Sequence, residues 1–518
     1  MLADDTIPEE IATVERLRGL RDLVTTQMGG PEAVGAIRAA GRRTAREHIA
    51  ELVDRGSFGE IGTFATFTDK VTAERPGNFG GGIIGGHAAL DGRPVTVAVD
   101  DDSLVQPAAR STGKAARLYQ MALQRRNPYI EVAQGDTVPD LGPRPGKTGT
   151  DSARTFGAEP AFPGLLERGR AIPVVTAVLG DASGASSFTA GLCDFLVRLE
   201  GTRLSLTRGR SARQAAADGE ADAVVTSPDE AYAAIRRFLS YLPSYAGGPL
   251  PVADGDAGPG YDDQIARLVP ARRSRAYDMK AVIRRLCDPG SFLELKAGFA
   301  RNIITGLGRM AGIPVGVVAN APMRMAGGLT PECCLKAVSF VCLCDAFGVP
   351  LLVLQDTPGF LVSAAAERDR AVTRVMTLLQ AMSLTTVPTV SVVIRKAFGL
   401  AFVILDANRR ADLSLAWPGA EIGFMDPPVA ANVLFEPQIR EFPEAERAAF
   451  LAAKAAELGV GFEPYGVATN LTVDEIIEPG ATRSVVAGYL RTALAAGPRP
   501  GVPGPLATWP AGPERTTR

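Results

Sequence analysis

The chain states one pattern twice, and a recurrence of this length confines it to a duplicated domain. LVDRGSFGEIG (Leu52 to Gly62) returns as LCDPGSFLELK (Leu286 to Lys296), an offset of 286 − 52 = 234. GGHAALDGRPVTVAV carries a Gly92-Arg93-Pro94-Val95 turn into a β-branched run. GLGRMAGIPVGVVAN does the same with Gly312-Ile313-Pro314-Val315, at 312 − 92 = 220. IPVVTAVLGDASGASSF (Ile172 to Phe188) aligns with VPTVSVVIRKAFGLAF (Val387 to Phe402) at 387 − 172 = 215, each a strand followed by a turn of small residues. The pairs keep their order and nearly their spacing, which chance recurrence of one turn sequence does not produce.

A chain of 518 residues exceeds one ordinary core and suits two domains. The repeat sets them at residues 1–245 and 265–500, joined by the Gly/Pro-rich linker SYAGGPLPVADGDAGPGYDD. With 22% charged residues and a net charge of −2, a nucleic-acid or anionic-membrane surface has no bulk electrostatic support, so a small molecule or a protein is the expected partner. No stretch offers 18 uncharged apolar residues, and the acidic N-terminus lacks the basic and apolar regions of a signal peptide, which leads us to expect a cytoplasmic protein. Six cysteines, none in a CxxC pair, and two histidines give no basis for a metal site. Cys333, Cys334, Cys342 and Cys344 fall in CCLKAVSFVCLCDAF, which reads as a buried helix with cysteines as small hydrophobes.

Residues 9–55 read as helical, 93–101 as a buried strand and 114–126 as the helix after it. Residues 134–170, rich in Gly, Pro, Asp and Arg, read as a long loop. Ser227 begins a helix to Pro243, with Pro228 at its first position and acids in its first turn. The second half alternates strand 314–320, helix 333–347, strand 350–356, helix 369–382, strand 388–394 and helix 401–408. Strands alternating with helices imply parallel sheets with right-handed crossovers, so each half is α/β. The Pro/Gly-rich tail after Gly497 is expected to fray.

Two nucleotide-binding patterns fail on context. Gly80 to Gly85 satisfies GxGxxG, but an Asp91-Gly92 turn and a strand follow it where a helix is required. GPRPGKT (Gly142 to Thr148) is one residue short of a phosphate loop, and its prolines remove amides that would donate. The turns after the paired strands, LGDASGASSF and IRKAFGLAF, are more informative. A strand that runs through small residues into a helix presents consecutive N–H groups at the positive end of the helix dipole, suited to a developing oxyanion. Gly184-Ala185 and Leu400-Ala401 are expected at equivalent places in the two repeats; tight helix-on-sheet packing would also select small residues there. QDTPGF (Gln355 to Phe360) places a tight turn at the carboxyl end of a parallel strand, where α/β sheets open their ligand crevices.

Taken together, these segments resemble the carboxyltransferase (β) subunits of biotin-dependent acyl-CoA carboxylases, built from two tandem crotonase-like domains. The likeness covers most of the chain and is closest in VVANAPMRMAGGL, CDAFGVPLLVLQDTPGFL, VPTVSVVIRKAFGLAF and AWPGAEIGFM. It implies that carboxybiotin arrives on a separate carrier protein, that the biotin ureido oxygen takes the α-proton of a coenzyme A thioester, and that carbon dioxide is captured by the resulting enolate. Main-chain amides hold the two oxygens, without histidine or metal. By resemblance, Gly184 and Ala185 would face the thioester, and Leu400 and Ala401 the biotin oxygen. Asp356, Thr357, Pro358, Gly359, Phe360 and Gly399 would shape the biotin pocket, and Gly135 would approach coenzyme A. The family works with a biotin carboxylase and carrier and forms hexamers, with active sites between the first domain of one subunit and the second of another.

The departures gather in the first half. QGDTVPDLG (Gln134 to Gly142) replaces the family's glycine-rich loop ending in SGGAR, keeping only Gly135, and Gln106-Pro107 replaces a glycine pair. DASGA replaces CAGGA, so Asp181 is expected to oppose an enolate, at on the order of 1 to 4 kcal/mol for a like charge within a few ångströms. FGLAF replaces YGGAY, so the Cβ of Leu400 is expected to forbid the backbone geometry or crowd biotin. Val403 stands where relatives tune acyl choice, and Val362-Ser363 replaces a Pro-Gly pair. Three readings stay open: an acyl-CoA carboxyltransferase, a biotin-independent decarboxylase of a malonyl-type or polyketide-derived acid, and a non-catalytic scaffold subunit of a mixed hexamer. Lacking cysteines before Cys193, the chain has no N-terminal zinc ribbon.

Overall fold

The computed structural model of the chain describes residues 6–27, 29–65, 82–103, 112–135, 169–183, 185–205, 210–211, 216–254, 260–361, 364–407 and 410–497. It divides into two compact units, residues 1–239 and 240–518. In the first, the strands are β1 (Gly59–Glu60), β2 (Ile83–Leu90), β3 (Arg93–Asp100), β4 (Tyr129–Ala133), β5 (Val174–Val178), β6 (Ala182–Ser183), β7 (Phe195–Leu199), β8 (Arg203–Ser205), β9 (Arg210–Ser211) and β10 (Ala223–Val225). In the second they are β11 (Leu293–Leu295), β12 (Ile303–Met310), β13 (Ile313–Asn320), β14 (Leu351–Thr357), β15 (Thr389–Phe398), β16 (Leu413–Ala416), β17 (Glu421–Gly423) and β18 (Glu475–Ile476).

The sheet orders repeat element for element. One runs β1-β2-β3-β4-β5-β7-β10 and the other β11-β12-β13-β14-β15-β16-β18, with β17 added beside β15. In both, the first two pairings are antiparallel and the rest parallel. This is the α/β, twice-built crotonase-like architecture that the sequence predicts.

The repeated DxGSF pattern is structural. Asp54 accepts from the N–H groups of Asp91 (2.9 Å) and Gly92 (2.7 Å), and Asp288 accepts from Ala311 (2.9 Å) and Gly312 (2.8 Å). Both pairs sit at positive φ in the two-residue turns of the β2–β3 and β12–β13 hairpins, and such turns leave amides pointing at the carboxylate. Ser57 Oγ donates to the Asp54 carbonyl at 2.6 Å and accepts from Ala89; Ser291 Oγ repeats this with the Asp288 carbonyl at 2.7 Å and with Arg309. Even the arginine above the turn recurs: Arg236 donates to the Leu52 carbonyl, and Arg483 to that of Leu286 and to Asp288.

In the second unit, Met279, Val282, Ile283 and Leu286 follow the i, i+3, i+4, i+7 spacing of an apolar helix face. They pack with Val486 and Leu490 on Ile304, Val315, Val317, Leu352, Val390 and Val392 of the sheet. The cysteine-rich helix Pro331–Ala346 is buried as expected, capped by Thr330, whose hydroxyl accepts from Cys333 N–H. Ser227 likewise caps the helix Pro228–Tyr241 through Glu230 N–H.

Several expectations are corrected. Residues 9–55 form three helices, Thr6–Gln27, Pro31–Ala39 and Ala45–Leu52, because Gly30 at φ 109° with Pro31 after it breaks the run once, and Gly41 at φ 70° with the Thr44 cap breaks it again. The segment expected as linker is tied to the second unit: Arg309 donates to the Pro251 carbonyl, Ala253 N–H to Gly312 and Asp262 N–H to Gly480. The glycines of the GxGxxG pattern that fall among the described residues lie in or just before β2. A Cβ on Gly85 would stand 2.5 Å from the Val97 carbonyl oxygen, and one on Gly86 2.0 Å from that of Gly59. Three helices, Pro427–Leu434, Glu436–Glu441 and Glu444–Leu458, fall where no element was expected. Most of the 134–170 loop and the tail after Gly497 lie outside the described residues.

Replacing Asp288 with alanine strands two turn amides and is expected to cost the second unit about 1–3 kcal/mol, read from denaturant unfolding of the full chain. His48 supplies a pH test in the first unit. Its Nδ1 lies 2.6 Å from the Tyr232 hydroxyl, and burial pushes its pKa down to about 4. The unfolded chain, with an ordinary histidine, binds the proton first, so this contribution is complete above about pH 6.5 and is lost as pH falls toward 4. His48→Gln is expected to remove about 2 kcal/mol of the acid destabilisation seen at pH 5 in unfolding experiments.

Candidate functional site

The second-repeat turn is built by an irregular strand pair. β14 and β15 run in register from Leu351↔Thr389 to Gln355↔Val393 and resume at Thr357↔Ala397, so four residues of β15 span two of β14. Asp356 stands inside this bulge. It is fully buried; Oδ2 accepts from Arg395 Nε at 3.1 Å and Oδ1 from the Lys396 N–H at 3.3 Å, with Lys396 Nζ 3.9 Å away. Arg395 also donates to the Arg275 carbonyl and lies over the Tyr277 ring at 5.0 Å. Burial raises the pKa of Asp356 against the pull of Arg395 and Lys396, and burial beside Asp356 raises that of Tyr277 well above the ordinary phenol.

Beyond the bulge, Gly399 at φ 63° turns the chain into the helix Gly399–Leu405, and a Cβ there would come 3.0 Å from the Phe424 carbonyl oxygen. No side chain caps this helix, and the first-turn amides of any helix have no intrahelical acceptor. Ala401 is buried, while Leu400 is 45% and Phe424 84% exposed. The neighbouring turn is fixed equally firmly. Gly359, at φ 124°, donates to Thr357 Oγ1 at 3.2 Å, and its carbonyl accepts from Leu329 N–H at 3.0 Å, so that Phe360 bridges to Leu329. Asn320 Oδ1 accepts from Asp356 N–H, and its Nδ2 donates to the Gly327 carbonyl.

Thr357, Pro358, Gly359, Phe360, Gly399, Leu400 and Ala401 thus belong to two turns at the carboxyl ends of adjacent strands. Asp356 lies beneath them and is not a pocket wall, because both of its oxygens are committed to Arg395 and Lys396. Those two residues were not singled out in the sequence; two adjacent cations at the end of a buried strand were the available signal. The expected strain at Leu400 is absent: the left-handed residue is Gly399, and Leu400 is the second residue of an ordinary helix. Val403 packs against the apolar cluster of Phe402, Ala420 and Ile422.

In the first repeat, Ala185 opens the helix Ala185–Leu192, whereas Leu400 is the second residue of its helix, so the two expected pairs differ by one position relative to the helix start. Gly184 lies outside the described residues. Asp181 is exposed, but Oδ1 accepts from the Arg203 N–H at 2.9 Å, which ties it to the start of β8 and gives the carboxylate a structural task. A Cβ on Gly135 would meet nothing closer than Asp102 Cβ at 3.8 Å, so local packing does not demand glycine there. Gln106-Pro107, residues 137–139 and Val362-Ser363 lie outside the described residues. Among the described residues no group of three His, Cys, Asp or Glu is arranged to hold a metal. No helix there is long and apolar enough to cross a membrane.

Two copies of one α/β fold, each leading a strand of its sheet through a glycine-containing turn into a helix, define a tandem α/β protein. Residues 36–497 match the family described as carboxyl transferase domain, and the chain belongs to this family. It is 32% identical to the propionyl-CoA carboxylase beta chain of Saccharopolyspora erythraea over 93% of this chain and 94% of that one. It is 30% identical to the methylmalonyl-CoA carboxyltransferase 12S subunit of Propionibacterium freudenreichii subsp. shermanii, over 92% and 93%. A crystal structure of transcarboxylase 12S, described as a hexamer with methylmalonyl-coenzyme A and methylmalonic acid bound, superposes with a TM-score of 0.82 at 28% identity, covering 95% of this chain and 96% of that one.

The turn makes opposite demands at adjacent positions. Gly399→Ala is expected to cost about 1–2 kcal/mol, because a left-handed backbone penalises a Cβ, whereas Leu400→Gly is expected to lose less than about 1 kcal/mol, the helix-propensity difference. Denaturant midpoints of the two variants check the ranking.

Proposed function

We propose that this chain is the carboxyltransferase component of a cytoplasmic acyl-CoA carboxylase, moving a carboxyl group from carboxybiotin to the α-carbon of an acyl-CoA. The second-repeat turn is the observation that carries the reading. Gly399 adopts a conformation that only glycine takes without strain, and uncapped main-chain donors follow it. A donor set made only of N–H groups fits an oxygen that carries negative charge and offers nothing to a metal.

When bound, carboxybiotin supplies the carboxyl group. The amides of Leu400 and Ala401 would orient its ureido oxygen, between the Thr357–Phe360 turn and the exposed side chains of Leu400 and Phe424. Gly184 and Ala185 of the first repeat would hold the thioester oxygen as negative charge develops there, and Gly135 would leave room for coenzyme A. Fixed dipoles aimed at that charge stabilise it without reorganisation, and removal of one such donor typically costs about 10²–10³ in rate. The hexamer assembly described for transcarboxylase 12S supports assembly of this chain into a hexamer, and the Mycobacterium leprae relative named as a biotin-dependent acetyl-/propionyl-coenzyme A carboxylase beta5 subunit supports a biotin-linked reaction; a biotin carboxylase and a biotin carrier would be its partners.

Purified chain mixed with a biotin carboxylase, biotinylated carrier, ATP and labelled bicarbonate is expected to fix label into an acyl-CoA. Carbon dioxide release from a malonyl-type thioester without carrier would instead establish the decarboxylase. Inactivity in both assays, with co-purification of a second β-type subunit, would establish the scaffold.

A further inference from the structure

The two copies differ most in charge at one place. Counted from the last in-register pairs, Ala133↔Val178 and Gln355↔Val393, the next residue is Gln134 in the first copy and Asp356 in the second. On the partner strand, Gly180 and Asp181 occupy the places of Arg395 and Lys396. The first copy closes backbone on backbone, since a Cβ on Gly180 would stand 2.8 Å from the Gln134 carbonyl oxygen, and its Asp181 faces solvent. The second opens a bulge, fills it with a carboxylate and buries all three charged residues, Asp356, Arg395 and Lys396, to 7% exposure or less.

Burying three ionisable groups is costly unless geometry repays it, and a regular β14–β15 pairing would need none of them. Bulges of this kind re-aim the chain that follows. Here the chain that follows is Phe398-Gly399-Leu400-Ala401. The carboxylate takes the Lys396 main-chain N–H, which the bulge removes from the β14 side of the ladder while Lys396–Phe398 stay paired with β17, and so helps to fix the path by which β15 reaches the turn. One carboxylate against two cations leaves one formal positive charge directly before the turn. The next ion group out, Arg273 paired with Glu421 at 3.2 Å and with Asp426, carries one formal negative charge and sits on the far side of Lys396, where Glu421 is the partner of Lys396 in the β15–β17 pairing, so the excess cation lies on the inner side, at the bulge.

We infer that Asp356, Arg395 and Lys396 form a positioning device for the second-repeat turn, in which Asp356 sets the path of the main chain and the excess cation favours negative charge on the oxygen bound there. The inference rests on the reading of that turn as the oxygen-binding element. Its geometric half stands apart from that reading, because it concerns the path of residues 396–401 alone.

The test uses the full chain and the variants Asp356→Asn, Lys396→Met and Lys396→Arg. Hydrogen exchange of the segment covering residues 396–401 is expected to speed up at least about tenfold in Asp356→Asn, with the helix Pro331–Ala346 as unchanged internal reference. In the coupled carboxylation assay, Asp356→Asn and Lys396→Met are expected to lower kcat about 10–100-fold with KM for acyl-CoA within about twofold, as for a displaced or weakened oxygen site. Lys396→Arg is expected to recover most of the kcat lost in Lys396→Met. Wild-type exchange in Asp356→Asn overturns the positioning role whether or not the chain proves active. A normal kcat in Lys396→Met, or a loss confined to KM, overturns the electrostatic role. A wild-type chain that transfers no carboxyl group defeats the functional reading and the electrostatic role with it, and leaves the exchange arm to decide the positioning role.

Discussion

Aspartate bound to a neighbouring strand's main chain is the interaction on which both halves depend. Asp194 accepts from Val174 N–H at 3.0 Å while its own N–H returns to the Val174 carbonyl, and Asp222 does the same with Leu196. Asp412 with Thr389 and Asp474 with Ser414 repeat both exchanges in the second unit. Each couple sits where a parallel strand begins, the place at which one unpaired amide would let the strand slip. A one-residue slip would carry every side chain of that strand to the opposite face of the sheet. Where aspartate is absent, proline does the complementary job: Thr96 and Tyr129 donate to Pro128 and Pro173, and Gly316 and Leu351 to Pro350 and Pro388, carbonyls whose own residues bring no N–H to satisfy.

With register fixed at the beginnings of the strands, their carboxyl ends can be irregular without disordering the sheet. The first unit spends this freedom little, closing β4 on β5 through Gly180. The second unit spends it on the bulge opposite Asp356. A duplicated scaffold therefore carries two different ends, and the charge reversal between Asp181 and Lys396 is their clearest chemical mark. Solvent and the Arg203 amide already engage Asp181, so the penalty expected for an adjacent enolate is reduced by screening and by hydrogen bonding.

The sequence made legible what is local or repeated. The DxGSF pattern, the Pro-Val strand starts, the Ser227 cap and the apolar cysteine helix each depend on residues within a few positions of one another. The bulge was not legible, because it is a property of pairing between Asp356 and residues nearly forty positions later. Nor was the role of Asp181, which needs Arg203, or the attachment of the Ser244–Asp263 segment, which needs Gly312 and Gly480. The same limit explains Leu400. Counting glycines against a family pattern placed the conformational demand on the missing glycine, whereas the backbone places it on Gly399, the one that is kept.

That distinction bears on how far the chain has diverged. Had the left-handed residue been the substituted one, the turn would have had to rebuild. Because Leu400 occupies an ordinary helical position, the substitution alters what surrounds the amides and leaves their direction to Gly399 and the bulge beneath. Leu400 and Phe424 each expose an apolar side chain near this turn. A leucine here is thus compatible with the backbone path that Gly399 sets.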